Sequence, residues 1–324
     1  NAYSSAMDAS AGYAYLGTDD FPGVLHKYAV SWKDAVHGTR MTLSQKVSVN
    51  DVRLYSHQAG GNVRMAIYDD NGSARTLKWE SGSIANNQTE GWITAAISSG
   101  TPSSLILQPG TYWVAFNTDS PDNWQSFAQA EAGNGFELNQ AYGAFPGSIT
   151  NSATTEMNGV FSQYITYTNY VNLTVASAYD SPSPAVGVTE YLNGSTVNAS
   201  ATSPVSGGAG IRYVCTGYTG TGSAPSGSGT SCSFAITQAS TLTWNWKTQY
   251  QLTTAVSPSG AGSVTPANGT WIDAGTVQSV QASNNTGWQF GSWSGALSGS
   301  INPQNLTMNS AKSVTANFNP QLTI

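Results

Sequence analysis

An internal repeat in the second half of the chain limits its possible folds more than any other feature. Leu173-Thr174-Val175 is answered 79 positions later by Leu252-Thr253-Thr254. Inside these units, Cys215-Thr216-Gly217-Tyr218-Thr219-Gly220 corresponds to Phe290-Gly291-Ser292-Trp293-Ser294-Gly295. Ala235-Ile236-Thr237 corresponds to Asn305-Leu306-Thr307, and Leu242-Thr243-Trp244-Asn245-Trp246 to Val314-Thr315-Ala316-Asn317-Phe318. Units of about 70–78 residues, strand-rich and joined without a linker, read as stacked modules.

The first half has no such repeat but is also punctuated as strands. Val63-Arg64-Met65-Ala66-Ile67-Tyr68 runs into the turn residues Asp69-Asp70-Asn71-Gly72. Gln108-Pro109-Gly110 then turns the chain into a segment where Tyr112, Val114 and Phe116 share one face and Trp113 takes the other. Short strands at this spacing predict an antiparallel sandwich. A short helix is expected only at residues 124–132. Charge marks a boundary near residue 170, because nearly all the acidic side chains lie before it. After it stand only Asp180, Glu190 and Asp273, against Arg212, Lys247 and Lys312. The expected domains are 1–170, 171–249 and 250–319, with a tail at 320–324.

Composition removes several function classes. Charged residues make up 9% of the 324, against about 25% in an ordinary soluble protein. Serine and threonine, 43 and 35, take their place. The net charge of −6 and the lack of any Lys/Arg cluster argue against a nucleic-acid partner. No apolar run approaches the ~18 residues of a membrane helix. The mix is that of a secreted β protein, and the start at Asn1 leads us to expect that a signal peptide has been removed.

Two resemblances refine this reading. Residues 45–118, with the strand at Val63, Gly91-Trp92 and Leu107-Gln108-Pro109-Gly110-Thr111-Tyr112-Trp113, resemble the jelly-roll modules of bacterial secreted proteins, an architecture many carbohydrate-binding modules share. The second is the more specific. Val256-Ser257-Pro258-Ser259-Gly260-Ala261-Gly262-Ser263-Val264-Thr265-Pro266, Ala274-Gly275-Thr276, Phe290-Gly291-Ser292-Trp293-Ser294-Gly295 and the stretch from Met308 to Phe318 resemble the divergent internalin-type B-repeat. Residues 171–248 resemble a diverged companion copy. The family implies small β-grasp-like modules of bacterial cell-surface and secreted proteins, acting as stalks, spacers or adhesive repeats without catalysis. The fold class expected is therefore all-β: a jelly-roll-like sandwich followed by two small β repeat domains.

Candidate site residues follow from residue chemistry. Cys215 and Cys232 flank the glycine-rich insertion 220–229, itself read as a flexible loop, and in a secreted chain they are expected to form a disulfide. Trp293 and Tyr218 are expected to fill the small cores of their units, where one large aromatic weighs heavily. Trp124 and Trp113 are the candidate sugar-stacking residues. Asp19, Asp20, Asp119 and Asp122 are candidate oxygen ligands for a structural Ca²⁺ within residues 1–170; otherwise no cofactor is expected. No catalytic constellation has convincing spacing, and His26, His37 and His57 read as scattered loop or surface residues. Leu322-Thr323-Ile324 repeats the opening strand of the two units, which makes it a candidate assembly strand by β-augmentation. The expected function is a non-catalytic extracellular or cell-surface structural or adhesive subunit, its partners copies of itself or other surface proteins. The alternative is a carbohydrate-binding region with glycan ligands.

Overall fold

The computed structural model describes residues 7–8, 13–16, 33–125, 127–129 and 132–321. The fold is all-β, and among the described residues there is no α-helix, only two short 3₁₀ turns. Two compact units divide it, Asn1–Tyr170 and Val171–Ile324.

The first unit is a sandwich of two antiparallel sheets. One sheet is ordered Ser148–Thr150, Ala74–Glu80, Asn62–Asp70, Gly110–Thr118, Ala35–Leu43, Gly135–Asn139, Thr155–Met157. The other is built on Val47–Gln58, which pairs with Gly91–Ala96, Leu105–Leu107 and residues 163–169. Their inner faces bury Val47, Val49, Val52, Leu54, Met65, Ile67, Val114, Phe116 and Ile165 in one core. Strict alternation would turn Val52 and Leu54 outward after Val47 and Val49. A bulge opposite Thr166/Tyr167 absorbs one residue and restores their inward direction. The region expected to be a short helix holds the strands Trp124–Gln125 and Phe127–Gln129, paired with Val47–Gln58 and with Gly159–Phe161. Pairing across the sheets overrides the weak local helical tendency there.

Gly110–Thr118 is buried on both faces. Tyr112, Val114 and Phe116 enter the main core, whereas Trp113 and Ala115 enter a second one with Val36, Ala66, Tyr68, Phe136, Phe145 and Ile149. The outer face of this sheet is thus covered rather than solvated.

In the second unit the two repeats follow one plan. In the first, residues 173–177 lie parallel to 240–244, which pair antiparallel with Ile211–Thr221. In the second, residues 252–257 lie parallel to 312–317, which pair antiparallel with Trp288–Gly295. The antiparallel strand carries a bulge at the same place in each copy, skipping Thr216 in one and Gly291 in the other. A second sheet closes each core: Thr196–Ser200 with Ser231–Ala235, and Gly262–Thr265 with Val277–Asn284 and Gln304–Thr307. Trp293 is 3% exposed in the core of the second copy, and its Nε1 donates to the Ile301 carbonyl at 2.8 Å. Tyr218, half-buried, packs on the core of the first.

The glycine-rich insertion is a fixed element. Tyr218 and Gly227 exchange backbone hydrogen bonds at 2.8 and 2.9 Å, and Ala224 enters the core. The shorter second copy makes the same bridge between Trp293 and Gly299. Gly217 (φ +140°) is required here: a Cβ would stand 2.2 Å from the Gly227 carbonyl.

Candidate functional site

The two repeats meet on a single strand, Ser240–Ser257, 18 residues long. Its first part closes the first repeat and its last part opens the second. Even-numbered residues face the cores, with Leu242, Trp244 and Leu252 buried. Odd-numbered residues form the opposite face, which is polar from Thr241 to Thr253: Thr241, Thr243, Asn245, Lys247, Gln249, Gln251 and Thr253.

At the seam, the second repeat's Thr270–Asp273 pairs with residues 249–252, while the first repeat's Ile211–Thr221 pairs with the strand as far as Tyr250. Arg212, Gln249 and Asp273 therefore stand in one row across three strands. Arg212 Nε donates to Gln249 Oε1 at 2.8 Å, and Gln249 Nε2 donates to Asp273 Oδ1 at 2.7 Å. Lys247 Nζ reaches Asp273 Oδ2 at 2.9 Å, with the two side chains 42% and 46% exposed. The Gln249 amide and the Lys247 ammonium hold the Asp273 carboxyl below the usual carboxylate range. The Arg212 guanidinium lies 4.6 Å above the ring centre of Trp271, the residue paired with Gln251. Gln251 N–H also donates to the Gly210 carbonyl, at 2.9 Å.

The residues singled out from the sequence fall elsewhere. Trp113 is 3% exposed, which removes it as a sugar platform. The Arg75 guanidinium is stacked on its ring at 4.3 Å, and its Nε1 donates to Asp70 Oδ2 at 3.1 Å. Trp124 lies on the strand Trp124–Gln125, and its side chain is outside the described residues. Asp119 ties the end of Gly110–Thr118 to the start of the neighbouring strand, accepting from Asn62 N–H at 2.6 Å and Asn62 Nδ2 at 2.8 Å. Asp122 is exposed, and Asp19 and Asp20 lie outside the described residues. Among the described residues no three His, Cys, Asp or Glu side chains converge as metal ligands.

Cys215 and Cys232 are free thiols, not the expected disulfide. They sit in the two facing layers of one core. The Cys215 thiol is hydrogen-bonded to the carbonyls of Gly217 and Gly229, at 3.5 and 3.6 Å, and burial pushes the Cys232 thiol upward. Leu322, Thr323 and Ile324 lie outside the described residues.

One constellation in the first unit escaped sequence reasoning. Asp51, Arg53, Tyr55 and His57 occupy alternate positions of Val47–Gln58. Far from scattered loop residues, His37 and His57 are buried within strands. His57 Nδ1 lies 2.8 Å from Glu90, which also accepts from the Tyr55 hydroxyl at 3.2 Å. Arg53 pairs with Asp51 at 2.9 Å and donates to the Tyr164 hydroxyl at 3.2 Å; the hydrogen bond to Asp51 raises its pKa above the arginine range. The rings of Tyr55, Trp92 and Tyr164 form a row, edge to face at 5.2 and 4.7 Å. The period-2 run of Asp, Arg, Tyr and His was the available signal.

Residues 252–322 match the family model of the divergent InlB B-repeat domain, a type found in bacterial surface proteins and typically without enzymatic activity. No curated protein matches the chain. No helix among the described residues is long and apolar enough to cross a membrane.

Proposed function

We propose, starting from the B-repeat in residues 252–322, that this is a non-catalytic extracellular protein of a bacterial surface or appendage. Its second unit serves as a spacer that presents the first, and the chain acts as a structural or adhesive subunit. The observation that carries this reading is the strand Ser240–Ser257 shared by two successive repeats. A strand that closes one module while opening the next leaves no flexible linker between them, which is what a spacer requires. Repetition of the opening Leu-Thr pair at Leu322-Thr323-Ile324 supports assembly through strand addition between copies. Negative-stain electron microscopy of the full chain, compared with a chain lacking residues 321–324, tests this. Filaments or head-to-tail oligomers that disappear on deletion are expected. Assembly unchanged by the deletion removes the strand from the account, and monomers alone in both samples remove self-assembly.

A second reading, glycan recognition by the first unit, is favoured by the partly exposed rings of Tyr55 and Trp92, which stand edge to face beside the Arg53–Asp51 pair. A glycan array probed with the full chain and its Trp92→Ala variant decides it.

A further inference from the structure

The seam between the repeats holds more polar capacity than joining them uses. The joining contacts engage Arg212 through Nε alone. Among the described residues, no acceptor lies on the terminal nitrogens of its guanidinium. That group is nevertheless fixed in place: Gln249 holds Nε from one side and the Trp271 ring supports its plane at 4.6 Å. A guanidinium with its orientation set and its N–H fork open matches the two oxygens of a carboxylate. Lys247 adds a second positive charge, offset by Asp273, so the seam carries a net +1 in a unit with three acidic and three basic residues.

The fork also lies within a longer polar strip. On the same face of Ser240–Ser257, Thr241 is paired across to Thr221, Thr243 to Thr219, and Asn245 Nδ2 donates to Thr219 Oγ1 at 2.9 Å. Beyond the seam come Gln251 and the exposed Thr253. From Thr241 to Thr253 the strip runs about 40 Å at ~3.3 Å per residue, hydroxyl and amide on either side of one cationic, aromatic-backed point. A peptide terminus would use the fork and leave the rest of the strip idle. An extended chain of sugars uses both: its hydroxyls meet the threonine and amide groups, its C–H faces the exposed part of Trp271, and its acid group the fork.

We infer that this face binds a linear acidic polysaccharide, a chain of uronic-acid type, with one carboxylate on Arg212 and a ring against Trp271. The inference rests on the seam and stands or falls separately from self-assembly.

The probe is an oligogalacturonate titrated into the full chain and followed by isothermal calorimetry and by the NMR signals of the Trp271 indole and the Arg212 side chain. Its methyl ester, free of negative charge, and sodium acetate serve as comparators. Binding at least tenfold tighter than the ester, with shifts at both residues, is expected. Arg212→Lys, which keeps the charge and loses the fork, is expected to weaken it about tenfold. No shift at millimolar oligogalacturonate overturns the proposal. Equal binding of the ester overturns the role of the carboxylate, and equal shifts with acetate overturn the role of the sugar. The wild-type comparisons decide these points even if the variant misfolds.

Discussion

At the residue scale, two buried tryptophans in the repeats play unlike roles. Trp293 and Trp244 are 3% and 2% exposed. Trp293 donates its indole N–H to the Ile301 carbonyl, whereas the indole nitrogen of Trp244 has no partner among the described residues. Exchange for phenylalanine removes a similar volume from each core. At Trp293 it also breaks a hydrogen bond and leaves a carbonyl unpaired; at Trp244 it removes an unsatisfied donor. Trp293→Phe should therefore cost about 1 kcal/mol more than Trp244→Phe in urea unfolding. Equal losses would mean that the Trp244 nitrogen is satisfied in solution. Trp113 shows the limit of reading one residue from its neighbours. Its direction, opposite to Tyr112 and Val114, was legible from alternation. What covers it was not, because Phe136, Phe145, Ile149 and Arg75 come from distant segments.

At the element scale the two repeats act as controls for each other. Gly291 occupies the bulge position that Thr216 fills in the first copy. A Cβ there would meet the movable end of the Asn319 side chain at 2.7 Å. Gly295, with φ +91°, would put a Cβ 2.5 Å from the Ser313 carbonyl. Gly291→Thr should accordingly change stability by less than about 1 kcal/mol, whereas Gly295→Ala should cost about 2–3 kcal/mol, measured by thermal unfolding. A reversed order would refute the equivalence of the two bulges. All-β character and the B-repeat itself were legible because turn glycines and alternation are local signals. The seam was not. Arg212 and Trp271 are far apart in sequence and come together only because Gln249 lies between their strands.

At the scale of the whole chain, sharing Ser240–Ser257 couples the two repeats. Neither can release its part of that strand without exposing residues that the other uses, so both should melt in one calorimetric transition. Gln251→Pro removes the N–H that bonds to Gly210 at the seam and places a ring in the strand interior. In scanning calorimetry of the full chain it should split that transition in two. A single transition that persists at lower temperature would place the coupling in the cores instead. The strand pattern within each repeat has a mechanical consequence as well. The chain enters on a strand that lies parallel to the one by which it leaves, residues 173–177 beside 240–244 and 252–257 beside 312–317. Tension along the chain drags these neighbours in opposite directions past one another. Their hydrogen bonds then bear the load together in shear, whereas an antiparallel exit would let them open one at a time like a zip.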